Sequence, residues 1–264
     1  MGEPAELEGA SLPTLLASGL ACLREARSGG PPSPERAAKT LSAVARGLER
    51  LREARLRTQT LALFSRNEEA GDVATSNLVY LLLPFLSAQL LAAVPAGSDH
   101  GRRLQALRQA QTELGAFLER LNEYGLAGPV ASERGEESWE ESSSRSRGSG
   151  SGMVDGLDPA KKRARKLAAH ARRRTLRCDM EAHGTLEQWL GLADGAGMTW
   201  LGRAGAAAGN EAEDEDERDR ERILLRLEWA ALEALDALDG NAQELQILTH
   251  ALKMQEDGRP TQDA

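Results

Sequence analysis

Aromatic residues are scarce in this 264-residue chain, and so are the residues that favour long β-strands. Phe, Trp and Tyr make up 3% of the sequence although 41% of it is hydrophobic, so the apolar content comes mainly from Leu and Ala. Leu and Ala are strong helix formers, whereas long strands prefer Val, Ile, Tyr and Phe. The composition predicts an all-α fold with a core large enough for one large domain or two small ones.

Signals for secretion and for disulfide bonding are also missing. The two cysteines, Cys22 and Cys178, stand far apart and match no disulfide or metal framework. No Asn-x-Ser/Thr sequon occurs, and the acidic start MGEPAELEGA lacks the basic and then apolar order of a secretory signal. Gly2 would suit N-myristoylation, but Glu6 occupies the position where that motif has Ser or Thr. We therefore expect a reduced, soluble protein of the cytoplasm, with the nucleus as a second location.

Motifs typical of catalysis and metal binding are absent as well. The four histidines are scattered, and no HExxH, P-loop or GxSxG sequence occurs. Cys178, Asp179, Glu181 and His183 crowd together in RCDMEAHG, yet helical spacing brings only Asp179 and His183 onto one face. A structural metal site takes four ligands. These absences predict a protein that is not an enzyme and that holds no metal or cofactor.

One uncharged run raises the question of a membrane span. Residues 78–94 carry no ionisable group except the phenol of Tyr80, but the run is shorter than the roughly 20 residues that a span needs. Pro84 removes a helical hydrogen bond and predicts a kink, and no basic flank marks a cytoplasmic side. The run predicts a helix buried on all sides within a bundle, and no membrane partner.

Helical periodicity and capping residues indicate where the other helices lie. Ser11 can cap a helix over LPTLLASGLACLREAR, and Ser33, followed by Pro34, can cap one that ends near Phe64. The spacing of Ser65 and Glu68 in SRNE fits a capping box. Thr75, Ser76 or Asn77 can cap the helix of the uncharged run, and further helices are predicted over residues 98–124, 158–192 and 213–255.

A change of composition divides these helices into two groups. Residues 127–157 are rich in Ser, Gly and Glu, with little to bury, so they predict a disordered linker. This linker separates an N-terminal helical bundle, residues 10–126, from C-terminal helices in residues 158–256, with a tail at 257–264. Within the C-terminal group we expect an acidic linker between a basic helix and a long last helix.

Two charged stretches carry most of the polar information. Residues 161–177 hold nine Lys or Arg and no acid, whereas residues 211–222, EAEDEDERDRER, are mostly acidic. The acidic run is typical of a solvated, partly disordered face. The basic helix fits a solvated surface or the import signal KKRARK, a dock for an acidic protein surface, or a nucleic-acid site. The residues alone leave these three interpretations open.

The segment LALFSRNEEAGDVATSNLVYLLLPF resembles the hallmark of the type 2A phosphatase-associated protein family, which regulates phosphatases in the TOR pathway. The family's LFSxNE turn, its alanine-Ser/Thr cap and its YLLxP helix correspond to residues 63–68, 74–76 and 80–84. SLPTLLASG is similar to the family's first helix, and RARKLAAHARRR to its basic helix. The acidic run and a long helix with Trp229 follow in the same order, so the resemblance covers residues 10–256.

This resemblance implies a fold and a function. The family has a tetratricopeptide-like, antiparallel helical bundle that binds catalytic subunits of type 2A, 4 and 6 protein phosphatases and stabilises them without catalysis of its own. Its R-x-x-K contact residues correspond to Arg163 and Lys166, and we expect Arg165, Arg172 and Arg173 to add positive charge for the partner. The apolar run at residues 78–91 is expected to be core, and the protein alone to be monomeric.

Departures from the family pattern lie in and after the basic helix. His170 stands where the family has an aromatic residue, and Ala169 where it has a basic one. The chain stops soon after the last helix, so we do not expect the ubiquitin-ligase partner that the C-terminal tail of animal members engages. The alternative function is a nuclear, nucleic-acid-associated protein that uses residues 161–177.

Overall fold

The computed structural model describes residues 9–28, 33–65, 68–97, 99–128, 159–181 and 210–257. These residues form helices and their connections, without a β-strand anywhere in those ranges, which confirms the all-α prediction. The helices are α1 (Leu12–Arg27), α2 (Pro34–Thr60), α3 (Thr75–Leu78), α4 (Leu83–Ala92), α5 (His100–Glu123), α6 (Pro159–Glu181) and α7 (Asn210–Asp257). The disordered linker predicted at 127–157 lies almost entirely outside the described residues, as do the tail from 258 onward and the continuation of the basic helix beyond residue 181.

Both serine caps are confirmed. The Ser11 hydroxyl accepts the backbone N–H of Thr14 at 3.3 Å, and the Ser33 hydroxyl accepts that of Arg36 at 3.2 Å. Each satisfies a donor that the first turn of a helix leaves without an intrahelical partner. A proline follows each serine within the first two helical positions, where its missing N–H removes no helical hydrogen bond.

The second helix ends earlier than the sequence suggested. It stops at Thr60, not near Phe64, because Ala62 adopts a left-handed conformation with φ of 48°. This reversal lets the N–H of Leu63 return to the carbonyl of Thr58 at 3.0 Å, which satisfies a carbonyl at the helix end. A left-handed alanine carries no sequence signature, since this conformation usually belongs to glycine or asparagine.

The uncharged run is not one continuous α-helix. A 3-10 turn over Val79–Leu82 separates α3 from α4, and Pro84 stands in the first turn of α4. This is the interruption that the proline predicted. The predicted side-chain cap is wrong, because Ala74 precedes α3 without a capping hydrogen bond and the hydroxyl of Thr75 donates to Asp216 at 2.9 Å.

The burial of its side chains decides whether the uncharged run is a membrane span or a core helix. Among the described residues, Thr75–Ala92 is the one stretch apolar and long enough, by composition and length, to cross a membrane, and 72% of it is buried inside the protein. From residue 78 to residue 91 only Pro84 and Gln89 are not fully buried. The prediction of a core helix is confirmed.

The acidic run is helical. It forms the first turns of α7, which extends from Asn210 to Asp257, so the helix predicted over 213–255 is confirmed and the expectation of an acidic linker is wrong. Carboxylates are favourable at the N-terminus of a helix because the backbone N–H groups there carry partial positive charge. The interleaved arginines add pairs within the helix, such as Arg222 with Asp219 at 2.8 Å.

The chain divides into two compact units that interleave along the sequence. The first comprises residues 1–64, 82–117 and 234–264, and the second comprises residues 65–81 and 118–233. These units differ from the consecutive segments 10–126 and 158–256, and the domain division drawn from the sequence stays a prediction.

In the first unit α1 and α2 form an antiparallel pair. Arg46 of α2 binds Glu25 of α1 at 2.6 Å near the connecting loop, and Arg57 donates to the carbonyl of Ala10 at the other end. Gly19 of α1 lies against Leu51 of α2, and Gly47 of α2 lies against Cys22 of α1 and Leu90 of α4, so both glycines permit close packing. Elsewhere in this unit, the rings of Phe85 and Phe117 pack with their centres 5.4 Å apart. Leu104, Leu107 and Leu248 form a buried hydrophobic cluster.

The second unit contains the connecting loop at residues 68–74, all of α3, the end of α5, all of α6 and the first half of α7. Its buried side chains include Leu176 of α6 and Ile223 and Leu227 of α7, each with 0% of its surface exposed. The basic helix and the acidic part of α7 therefore belong to the same unit.

Candidate functional site

The basic helix α6 presents the two residues that the family motif singled out. Pro159 stands at its first position, where proline favours helix initiation. Arg163 and Lys166 are both exposed, and neither has a hydrogen-bond or ion-pair partner among the described residues. Since they lie one helical turn apart, they can approach the same partner surface. Arg165 belongs to the same turn, but its side chain lies outside the described part of the chain.

Arg172 serves a different purpose within this helix. Its guanidinium donates two hydrogen bonds to the carboxylate of Glu228 on α7, both at 2.6 Å. This two-point geometry is the strongest form of an arginine–carboxylate pair. The hydrogen bond to Glu228 is the main reason why the pKa of Arg172 is raised above its ordinary value. Arg172 is therefore a structural contact between α6 and α7.

The neighbouring cations also face α7. Arg173 donates to the backbone carbonyl of Leu232 at 2.6 Å, and the guanidinium of Arg177 lies 5.8 Å from the centre of the Trp229 ring. At that distance a cation is attracted to the face of an aromatic ring. Together with the buried Leu176, these contacts hold one side of α6 against α7. No local sequence signal pairs Arg177 with Trp229.

The N-terminal turns of α6 remain open, together with Arg174. Arg163, Lys166, Leu167 and Arg174 are exposed, and Leu167 keeps 62% of its surface accessible. An isolated exposed leucine needs no explanation in itself. Here it lies directly beside two cations that lack partners among the described residues. These exposed residues thus combine positive charge with an apolar contact point.

The family hallmark has a structural role in the second unit. The Glu68 carboxylate accepts the N–H of Ser65 at 3.2 Å, as the capping-box spacing predicted. The Tyr124 hydroxyl donates to the carbonyl of Ser65 at 2.8 Å. Arg220, in the acidic part of α7, donates to the carbonyl of Val73 at 2.9 Å and to that of Ala70. Residues 65–73, the hallmark loop, are therefore held by Tyr124, which directly follows α5, and by Arg220 of α7. No sequence motif indicates this role.

A groove of about 760 Å³ opens beside the acidic part of α7. Its walls include four carboxylates and three leucines, namely Asp214, Glu217, Glu221, Glu228, Leu126, Leu224 and Leu225. Gly125 and Gly128 line it too, and both have positive φ, 66° and 72°. A Cβ on Gly128 would come 2.9 Å from Cγ of Glu228, so only glycine leaves room for that side chain.

The acidic and histidine-containing segment RCDMEAHG forms no metal site within the described residues. Cys178 and Asp179 are exposed at the end of α6, and His183 lies outside the described ranges. Within the described ranges, no three or more His, Cys, Asp or Glu side chains are grouped so that they could bind a metal.

Comparisons with known proteins agree with the hallmark. The sequence matches the TAP42-like family over residues 12–264. It is 27% identical over 222 residues to the PP2A regulatory subunit TAP46 of Nicotiana tabacum. The aligned region covers 81% of this chain and 48% of that protein. The sequence is 26% identical over 212 residues to the TAP46 of Nicotiana benthamiana, with 78% and 46% covered. The chain thus spans about half the length of the curated relatives it matches.

A solved structure shows the same fold. The structure of the Tap42 alpha4 subunit aligns with a TM-score of 0.59 and 22% sequence identity, over 92% of this chain and 100% of the other. At this identity the similarity supports the helical fold alone. The match to the family, by contrast, extends over nearly the whole sequence and includes the hallmark segment. The chain therefore belongs to the TAP42-like family, the phosphatase-associated family that its central motif resembles.

Proposed function

We propose that this chain is a non-catalytic adaptor that binds and stabilises the catalytic subunit of type 2A-like protein phosphatases. The relatives it matches carry the name of PP2A regulatory subunits, and the family match covers residues 12–264. The family resemblance extends the proposal to the type 4 and type 6 enzymes and to TOR-linked signalling. It also favours an adaptor that is monomeric when alone and works in the cytoplasm.

The observation that carries the proposal is the contrast among the cations of α6. Arg172 and Arg173 are used for contacts with α7, whereas Arg163 and Lys166 are exposed without a partner in the described part of the chain. Two cations on adjacent turns can bind carboxylates of a partner, and Arg can do so with two hydrogen bonds. We assign Arg163 and Lys166 to direct contact with the phosphatase, and Arg172 and Arg173 to positioning of the helix.

Leu167 favours a protein partner over nucleic acid. Nucleic acids contact proteins through phosphate groups, which pair with cations, and through bases, which stack on aromatic rings. The leucine side chain can make neither of these contacts. A protein surface can bury this side chain while its carboxylates pair with Arg163 and Lys166. The 62% exposure of Leu167 leaves about 100 Å² for such burial, on the order of 2 kcal/mol before the costs of association.

A capture experiment tests the proposal. Purified catalytic subunits of types 2A, 4 and 6 are incubated separately with the immobilised wild-type chain and with Arg163→Glu/Lys166→Glu. The reversed charges should abolish capture while the helix content measured by circular dichroism stays unchanged, because both side chains are exposed. Lys39→Glu/Arg52→Glu is the matched control, since it reverses two exposed cations on α2.

The outcomes separate binding, its location and its consequence. Capture by the wild type and the control, but not by the α6 variant, is the expected result. Equal capture by all three proteins would contradict the assignment of Arg163 and Lys166, and no capture by the wild type would contradict the adaptor function. Stabilisation is measured separately, as the half-life of phosphatase activity at elevated temperature with and without the chain. An unchanged half-life would mean that the chain binds the catalytic subunit but does not stabilise it.

A further inference from the structure

The groove beside α7 is distinct from the exposed cations of α6. One side of α7 forms its wall with residues that recur at steps of three and four, namely Asp214, Glu217, Glu221, Leu224 and Glu228. Residues at this spacing share one face of an α-helix, so the wall is a continuous stripe. At 1.5 Å per residue the stripe extends over about 20 Å, or roughly four helical turns.

The charges of this stripe change along its length. Asp214, Glu217 and Glu221 are exposed and have no ion-pair partner among the described residues. Glu228, at the other end, is bound to Arg172, and Arg220 donates to the carbonyls of the hallmark loop. Arg218 remains as an exposed cation of the lining. The N-terminal end of the groove is therefore acidic after internal pairs are accounted for.

The rest of the groove lining includes apolar residues. Leu224 and Leu225 of α7 and Leu126 across from them are each half-buried, so part of every side chain is still accessible. The opposite wall includes Gly125 and Gly128, which have no side chains to fill the space. A partner that enters here can bury apolar side chains against the leucines without displacing a bulky residue.

We propose that this groove binds a basic amphipathic helix of a partner protein. A helix that binds in a groove presents its anchor residues at steps of three and four residues, on one face. The stripe on α7 has the same spacing, so such a partner helix can lie along it and contact its residues turn by turn. Arginine or lysine in the first turns of the partner helix would pair with Asp214, Glu217 and Glu221. Leucine-like residues in its following turns would contact Leu126, Leu224 and Leu225.

This inference does not rest on the proposed phosphatase binding. Arg163 and Lys166 do not line the groove, and they require an acidic partner surface, whereas the groove requires a basic one. The two surfaces therefore select partner segments of opposite charge. Failure of one assignment leaves the other intact.

The probe is a fluorescently labelled synthetic peptide with leucines at steps of three and four residues and arginines on the same face in its first turns. Fluorescence anisotropy compares it with a scrambled peptide of the same composition and charge. The wild-type chain should bind the amphipathic peptide at least about tenfold more tightly than the scrambled one. A tenfold difference corresponds to about 1.4 kcal/mol.

Variants locate the binding. Glu217→Lys/Glu221→Lys should lose the preference for the amphipathic peptide, and the milder Glu217→Gln/Glu221→Gln should weaken it while it keeps the helix intact. Glu49→Lys/Glu119→Lys reverses two exposed acids outside the groove and should bind as the wild type does. Arg163→Glu/Lys166→Glu should also bind normally. These results together would establish the groove as the binding site.

Three results would overturn the proposal. The scrambled peptide could bind equally well, or the control variant could lose binding as fully as the groove variant, and either would indicate non-specific attraction to a chain of net charge −8. Self-association of the wild type, measured by sedimentation and lost in Glu217→Lys/Glu221→Lys, would assign the groove to a second copy of this chain.

Discussion

Arg172 and Glu228 form a two-point ion pair, with both nitrogen–oxygen distances 2.6 Å, that joins the basic helix to the last helix. The Arg172 side chain is 37% exposed and that of Glu228 is 14% exposed, so water screens one partner more than the other. The pair uses a cation that the charge pattern alone would assign to an external partner. Its position next to Arg173 and Arg177 makes one side of α6 a structural surface.

Removal of this pair should cost stability without a large change in fold. We expect Arg172→Ala to lower the free energy of unfolding by about 1 kcal/mol, since a charge-assisted bond is worth more but is reduced here by solvent. Urea unfolding followed by circular dichroism measures the change. Arg174→Ala is the control, because Arg174 is exposed on the other side of α6, and its effect should stay within about 0.5 kcal/mol.

A double-mutant cycle separates the pair from other effects of truncation. Glu228→Gln alone should destabilise the protein by a similar amount, because it leaves Arg172 without its charged partner. In the double variant the second substitution should then add little. Fully additive losses would mean that the two residues stabilise the protein independently and that the observed pair contributes nothing of its own.

The second prediction concerns acid and the first unit. The Arg103 guanidinium donates to the Glu244 carboxylate at 2.6 and 2.7 Å and to the carbonyls of Ala92 and Val94 at 2.8 and 2.7 Å. It thereby satisfies carbonyls at the end of α4. The hydrogen bond from Arg103 lowers the pKa of Glu244 below its ordinary value of 4.5.

A lowered pKa gives the direction of the pH effect. The folded state binds a proton at Glu244 less readily than the unfolded chain, so this pair stabilises the protein above about pH 4.5 and its contribution is lost as the pH falls through the lower folded value. Urea unfolding at neutral pH and at several values below 4.5 should show this loss. Glu244→Gln should remove part of the acid dependence, and Glu49→Gln, which changes an exposed acid, should not.

Arg103→Ala should have a larger effect than either acid variant. Only 12% of its side chain is exposed, and its loss leaves carbonyls and a carboxylate without their donor. We expect a loss of about 2 kcal/mol in the free energy of unfolding at neutral pH. A loss below about 0.5 kcal/mol would show that water replaces these bonds without cost.

Much of the fold could be predicted because its signals are local. The caps at Ser11 and Ser33, the break at Pro84 and the buried side of α5 each depend on residues within a few positions of one another. Leu104, Leu107, Leu114, Phe117 and Leu121 recur at helical spacing in α5, and all five are buried.

What the sequence could not assign depends on distant partners. The basic run identified nine cations but not which of them face α7, since Arg172 and Glu228 are separated by 56 positions. Arg220 likewise lies in an acidic run whose composition predicts a solvated face, yet it binds carbonyls of the hallmark loop almost 150 positions away. Helical periodicity gives the faces of each helix, but the choice of partner for a face is a tertiary property.

The third prediction tests close packing in the first unit. A Cβ placed on Gly47 would come 2.7 Å from Cδ1 of Leu90 and 3.0 Å from Cβ of Cys22. Gly47→Ala should therefore force buried side chains apart and lower the free energy of unfolding by about 1–3 kcal/mol. Thermal and urea unfolding give the magnitude.

Gly115 provides a matched control for this substitution. It lies inside α5, where an added Cβ would meet nothing within 4 Å. Gly115→Ala should stabilise the protein by about 0.5–1 kcal/mol, because alanine favours the helix without a steric cost. If both substitutions stabilised the protein equally, the close approach at Gly47 would be relieved without strain.

The fourth prediction concerns Tyr80, the first residue of the hallmark's YLLxP motif. Burial raises the pKa of Tyr80 from 10.0 to about 12, because the charged phenolate loses its hydration inside the protein. The folded state therefore holds the proton more tightly than the unfolded chain does. The stability from the neutral phenol is fully present below pH 10 and is lost as the pH rises toward 12.

Absorbance of the phenolate in the ultraviolet can follow this titration, because the chain has only two tyrosines. Tyr124 also has a raised pKa, chiefly through burial, so both phenols should ionise above pH 10. Tyr80→Phe should remove the later part of the titration and should make the free energy of unfolding less dependent on pH between about 10 and 12. A Tyr80 that titrates near 10 in the folded protein would mean that solvent reaches the hallmark helix, contrary to its burial.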